Sequence, residues 1–208
     1  KPKFWELGQI ADVALDSKDR VWLFSRSKHP ITCWEKDGKF IGSWGNLGLD
    51  KDEFRVPHGM YIDSDDSIWL ADHQTHLVTK HNENGDILLS LGTFGYANIT
   101  ITTSGAQGMP FNMPTGIAIN SKKKIFVSDG YANRRMHRFS KEGKLELSWG
   151  SAGTKEGQFA ILHKVGVDKN DLVYVCDREN NRIQIFSPDG DYINSWNGFA
   201  GPGDIFFS

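Results

Sequence analysis

Two histidines in this chain, His58 and His163, each stand five residues ahead of an aspartate, Asp63 and Asp168, that opens the same kind of polar turn. Neutral imidazoles bind zinc, and three of them leaving one position open form a common catalytic zinc arrangement. Arg26 and Arg178 share a second position, ten residues past Asp16 and Asp168, and Tyr131 lies one step beyond it, counted from Asn120. Guanidinium groups pair with carboxylates through two parallel hydrogen bonds, so two arginines and a phenol near two imidazoles suit an anionic substrate. A lone histidine before a strand is ordinarily a turn residue with one hydrogen bond, and it is the shared register that sets these two apart. The equivalent positions elsewhere are Ala11, Thr115 and, in a fifth unit, Gly203. His76 stands where later units carry Arg135 and Arg182, which predicts a structural role. His29, His73, His81 and His137 show no shared register and are expected in surface or loop positions.

The positions can be compared because the sequence repeats. Four segments end alike: EKDGKFIGSWG (35–45), NENGDILLSLG (82–92), SKEGKLELSWG (140–150) and SPDGDYINSWN (187–197). Upstream of them stand DSKDRVWLF (16–24), DSDDSIWLA (63–71), NSKKKIFVS (120–128) and DKNDLVYVC (168–176). The leading residues step by 47, 57 and 48, one period with one insertion around Tyr96–Pro110. Within each unit, short β-branched and aromatic runs alternate with Asp, Asn, Ser and Gly clusters, the pattern of strands and tight turns. Unit one reads as four strands in an antiparallel meander, and a period of this length predicts radially stacked blades, an all-β propeller. Trp22, Trp69, Phe126 and Tyr174, with Trp44, Trp149 and Trp196, hold fixed register positions expected to pack between blades. Ile205–Phe207 takes the place of a fifth innermost strand. Residues 1–208 are therefore expected to form one propeller domain, incomplete at the C-terminus: four complete blades and the start of a fifth. If the ring has six blades, alternate blades lie about 120° apart, so blades two, four and six would offer three imidazoles to one ion. Closure by another chain is the rival expectation.

Composition excludes several classes. The 24 basic and 26 acidic residues give a formal charge of −2, so no field recruits nucleic acid. No apolar run approaches the roughly 20 residues of a membrane span, and membrane insertion is not expected. Lys1 opens no signal-like stretch, and a secreted or periplasmic protein whose leader has been removed would read the same. Cys33 and Cys176 lie in different units, outside any C-x-x-C pair, and are read as buried free thiols.

VALDSKDRVWLFSR (13–26), VPHGMYIDSDDSIWLADHQTH (56–76), PFNMPTGIAI (110–119), FVSDGYANRR (126–135) and GQFAILHKVGVDKNDLVYVCDRENNRIQIF (157–186) cover most of the chain. In them the sequence resembles the NHL-repeat proteins and, within these, the peptidylglycine α-amidating lyases and their bacterial relatives. The resemblance implies a six-bladed propeller holding zinc on three histidines and cleaving a peptidyl-α-hydroxyglycine to a peptide amide and glyoxylate. His58 and His163 match two zinc ligands, Tyr131 the catalytic tyrosine, and Arg26 and Arg178 the active-site arginines. The backbone carbonyls of Val13 and Met60 match a structural calcium site, and Asp204 resembles the aspartate completing it. The third histidine has no counterpart here, and Leu162 precedes His163 where the family has proline. Ala132 and Tyr174 replace cysteines that form disulfides in the animal enzymes, which implies a bacterial or otherwise disulfide-free relative. Two functions follow. One is a zinc lyase acting on an α-hydroxyglycine-like or other small α-hydroxy substrate. The other is a non-catalytic scaffold presenting a rigid face to a protein or ligand.

Overall fold

The alternating apolar runs fold into four four-stranded antiparallel sheets in the computed structural model, which describes residues 7–98 and 111–207. Blade one contains β1 (Gln9–Leu15), β2 (Val21–Arg26), β3 (Ile31–Trp34) and β4 (Phe40–Trp44). Blade two contains β5 (Pro57–Ile62), β6 (Ile68–Asp72), β7 (Leu77–His81) and β8 (Ile87–Gly92). Blade three contains β9 (Gly116–Ile119), β10 (Ile125–Asp129), β11 (Arg135–Phe139) and β12 (Leu145–Trp149). A short parallel pair, β13 (Ser151–Ala152) with β14 (Gln158–Phe159), leads into blade four. That blade contains β15 (Leu162–Val167), β16 (Val173–Asp177), β17 (Arg182–Phe186) and β18 (Tyr192–Asn197). In every blade the strands pair in chain order, and the innermost strands β1, β5, β9 and β15 touch in succession. Most of the insertion, residues 99–110, lies outside the described residues.

The turns explain the repeat. In blades one, three and four the leading Asp or Asn side chain accepts two backbone N–H groups of its own hairpin, as Asp16 does from Lys18 and Arg20. The last turn residue then sits at positive φ: Asp19, Asp66, Lys123 and Asp171. Three of these side chains tie their blade to the one before. Asp66 accepts the backbone N–H and hydroxyl of Ser17, Asp171 does the same for Ser121, and Lys123 donates to Asp63 and Ser64. Outer hairpins turn on Gly38, Gly85, Gly143 and Gly190, all at φ between +84° and +92°, where other residues are strained.

The core lies between blades. Trp22, Phe24, Ile31 and Cys33 pack on Met60, Ile68 and Leu70, and comparable layers join blades two to three and three to four. Burying such side chains stabilises by roughly 1.5–3 kcal/mol each. Cys33 and Cys176 are buried and free, as expected.

Several expectations are corrected. Ile205–Phe207 forms no strand. With no neighbouring strand to pair with among the described residues, it packs Ile205 and Phe207 on Tyr174, Cys176 and Ile183. His81 and His137 are buried inside β7 and β11, where His81 bonds Thr79 and Gly85, and His137 bonds Ser148 and Asp129. His76 shares its positive φ with Arg134 and Asn181, one step before Arg135 and Arg182; its Nδ1 accepts the Met113 N–H, so its role is structural.

Candidate active site

Each candidate histidine sits at a β-bulge. The β5–β6 register skips between Pro57 and Gly59, and the β15–β16 register between Leu162 and Lys164, leaving His58 and His163 as the extra residues. A bulge re-aims one side chain without ending the strand. Ala11 is the corresponding extra residue in blade one, so the sequence register marks a backbone feature as well as a residue type.

The two imidazoles meet, with ring centroids 4.8 Å apart. His58 donates from Nδ1 to the Thr115 carbonyl at 2.7 Å, and His163 from Nδ1 to the Gly203 carbonyl at 2.7 Å. Main-chain acceptors thus fix both tautomers and leave both Nε2 atoms unprotonated, that of His58 accepting from the Tyr131 hydroxyl. Thr115 also donates its hydroxyl to the Leu162 carbonyl at 2.7 Å, linking the two bulges. Burial, followed by the charge of a protonated His163, pushes the His58 pKa down to about 3. Burial also lowers His163, with Arg178 and Lys164 acting in the same direction.

Tyr131, on the loop after β10, stands with its hydroxyl 3.3 Å from His58 Nε2. The Arg178 guanidinium lies over the Tyr131 ring at 5.8 Å and pairs with Glu179. Arg26 is more peripheral: it donates to the Pro57 carbonyl at 3.2 Å, beside His58, and its charge helps hold His58 and His73 neutral. Tyr131, His58 and His163 are therefore in mutual contact, and both arginines flank them.

His73 was not anticipated. Its ring meets Tyr131 edge-on at 4.7 Å and stacks on His58 at 6.1 Å, and among the described residues its buried Nδ1 has no partner. A signal was present in the sequence: His73 stands ten residues past Asp63, the offset shared by Arg26 and Arg178. As the side chains stand, no three His, Cys, Asp or Glu groups among the described residues converge to hold a metal ion.

The two implied ions differ in fit. Two neutral imidazoles with tethered Nδ1 atoms and unprotonated Nε2 atoms suit zinc as a pair of ligands. The calcium position does not fit. Val13 and Met60 line the channel beside the buried Asp12, and the Lys164 ammonium is ion-paired to Asp12 in their midst.

The NHL repeat is matched over residues 159–186. The chain carries an NHL repeat within a fold of β-propeller blades. It is 34% identical over 208 residues to the peptidylglycine α-amidating monooxygenase of Rattus norvegicus, covering 88% of this chain and 21% of that protein. To a probable peptidyl-α-hydroxyglycine α-amidating lyase of Caenorhabditis elegans it is 38% identical over 81 residues, covering 37% of this chain and 23% of the relative. The chain thus spans about a fifth of the length of these relatives. A solved streptogramin B lyase matches in fold, with TM-score 0.67 at 12% identity over 94% of this chain and 56% of that one. No helix among the described residues is long and apolar enough to cross a membrane.

Proposed function

We propose that these blades carry part of the active site of a zinc-dependent lyase acting on an α-hydroxyglycine-like or other small α-hydroxy substrate. The observation that carries this reading is the pair of imidazoles, each fixed at Nδ1 by a main-chain carbonyl, with the Tyr131 hydroxyl 3.3 Å from the unprotonated Nε2 of His58. His58 and His163 would hold zinc, which supplies a Lewis acid that makes a nearby hydroxyl more acidic. Tyr131, as its phenolate, accepts the hydroxyl proton of the substrate as general base. The O–H electron pair becomes the carbonyl π bond, the C–N bond breaks, and the departing nitrogen takes up a proton. Arg26 and Arg178 supply the positive charge that holds a substrate carboxylate. A structural calcium at Val13 and Met60, which the resemblance implies, is no part of this reading.

The test compares the protein containing this chain with its His58→Ala and Tyr131→Phe variants, by metal analysis and by glyoxylate release from a peptidyl-α-hydroxyglycine. His58→Ala should lose zinc. Tyr131→Phe should keep zinc and lose turnover by about 10²–10⁴-fold, the usual contribution of a positioned base. Turnover unchanged in both variants would overturn the proposal and leave the alternative, a non-catalytic propeller scaffold for a protein or ligand.

A further inference from the structure

Lys164 follows His163 on β15, and the chemistry above does not use it. Its stem passes Gly116 of β9, where an added Cβ would meet Lys164 Cα and Cδ at 3.3 Å. Its ammonium ion-pairs with Asp12 on β1 and stands 3.6 Å from Asp204 Oδ1. One side chain of blade four thus crosses the channel, past blade three, to blade one. Asp12 accepts the N–H groups of Val13 at 2.8 Å and Met60 at 2.6 Å, so the same carboxylate also engages blade two. The pair is enclosed: the Lys164 side chain is 12% exposed and that of Asp12 6%.

Around that ammonium stands a set of oxygens. The N–H and C=O of a strand residue leave the same strand edge, so the Val13 and Met60 carbonyls lie along the edge that faces Asp12. Together with Lys164 and Asp204 these residues line one cavity of about 230 Å³. Carboxylates and main-chain carbonyls are the donors calcium takes. Here the positive charge they attract is already covalently attached, and a divalent ion added beside it would meet like charge. We infer that Lys164 is a built-in cation that takes the place of a divalent ion in the channel, bracing blades one, two and four. The inference is independent of the reaction proposed above.

Thermal unfolding of the protein, first freed of zinc by dialysis against EDTA and then exchanged into zinc-free buffer, in EGTA and in millimolar calcium chloride with sodium chloride matching ionic strength, tests it. The wild type should show the same Tm in both. Breaking a buried ion pair leaves an uncompensated charge, and in a domain of this size that lowers Tm by roughly 10 °C. Lys164→Ser and Lys164→Met should both show that fall in EGTA. Calcium should restore at least half of it in Lys164→Ser, where the oxygens are vacated, and little in Lys164→Met, where the stem still fills the space. A wild-type Tm raised by calcium overturns the inference, as does a Lys164→Ser Tm equal to wild type or unmoved by calcium. If neither variant folds, the wild-type response to calcium decides.

Discussion

Acid should destabilise this fold through one identifiable side chain. His58 is 7% exposed, and its pKa falls from 6.5 to about 3, chiefly through burial. In the unfolded chain the imidazole takes up a proton below its ordinary pKa of about 6.5. Between pH 6.5 and 3 the unfolded state therefore binds the extra proton and the folded state does not. Stability is fully present above pH 6.5 and is lost as pH falls toward 3. From pH 7 to pH 4 the loss assigned to this group is roughly 3 kcal/mol, at about 1.36 kcal/mol per pH unit within the window. The assay is urea unfolding from pH 7.5 to 4, with EDTA present, on wild type and His58→Gln. The glutamine amide can still donate to the Thr115 carbonyl and does not titrate. His73 and His163 titrate in both proteins and cancel in the comparison. The wild-type free energy should fall about 3 kcal/mol further than that of the variant, read as a steeper drop in urea midpoint at constant m. Parallel curves would refute the assignment of a buried, neutral His58.

Other consequences follow from the same contacts. Gly59→Ala would put a Cβ 2.3 Å from the Thr115 carbonyl oxygen, the acceptor that fixes His58. It should cost about 1–3 kcal/mol in urea unfolding, and nitrogen NMR of the His58 ring should show a mixed tautomer in place of one. Asp177→Asn removes the buried carboxylate that accepts from Ala160, Asn180 and Arg182. Leaving Arg182 without its counter-ion should cost about 3 kcal/mol, and an unchanged urea midpoint would show that the carboxylate matters little. Burial pushes the Cys33 thiol up to about 11 and Cys176 up to about 12. Both should resist a thiol reagent at pH 8 until urea unfolds the chain; fast labelling of either in native buffer would contradict their burial.

Much of the blade was legible because turn chemistry is local. The leading Asp16, Asn120 and Asp168 bond backbone groups within four residues, and the outer-turn glycines need only a positive φ. His58 and His163 were legible for a related reason: their register is that of a bulge, a backbone feature repeated with the blade. What crosses between blades was less visible. Asp66, Lys123 and Asp171 look like ordinary turn residues, and only the assembled rim shows that each reaches back to its neighbour. In the loops after β10 and β16, Asp129 and Asp177 hold the segment entering their own blade, and Arg134 reaches the neighbouring blade through the Ala160 carbonyl. His73 escaped because its offset matched arginines, and a comparison by residue type separates imidazole from guanidinium. Lys164 escaped because its partner, Asp12, is 152 residues away across the channel.

The Nδ1 tethers carry one more implication, for synthesis. His58 of blade two is oriented by a carbonyl of blade three, and His163 of blade four by the carbonyl of Gly203, beyond its own blade. A ribosome delivers the repeats in order, so each imidazole emerges before the group that sets its tautomer. Until the following repeat docks, either ring nitrogen can carry the proton, and the bulge alone does not choose. A nascent chain therefore holds these histidines without a defined tautomer. If the pair holds zinc as proposed, competence to do so arrives one repeat late at each position, and loading of the site would then be coupled to completion of its neighbours.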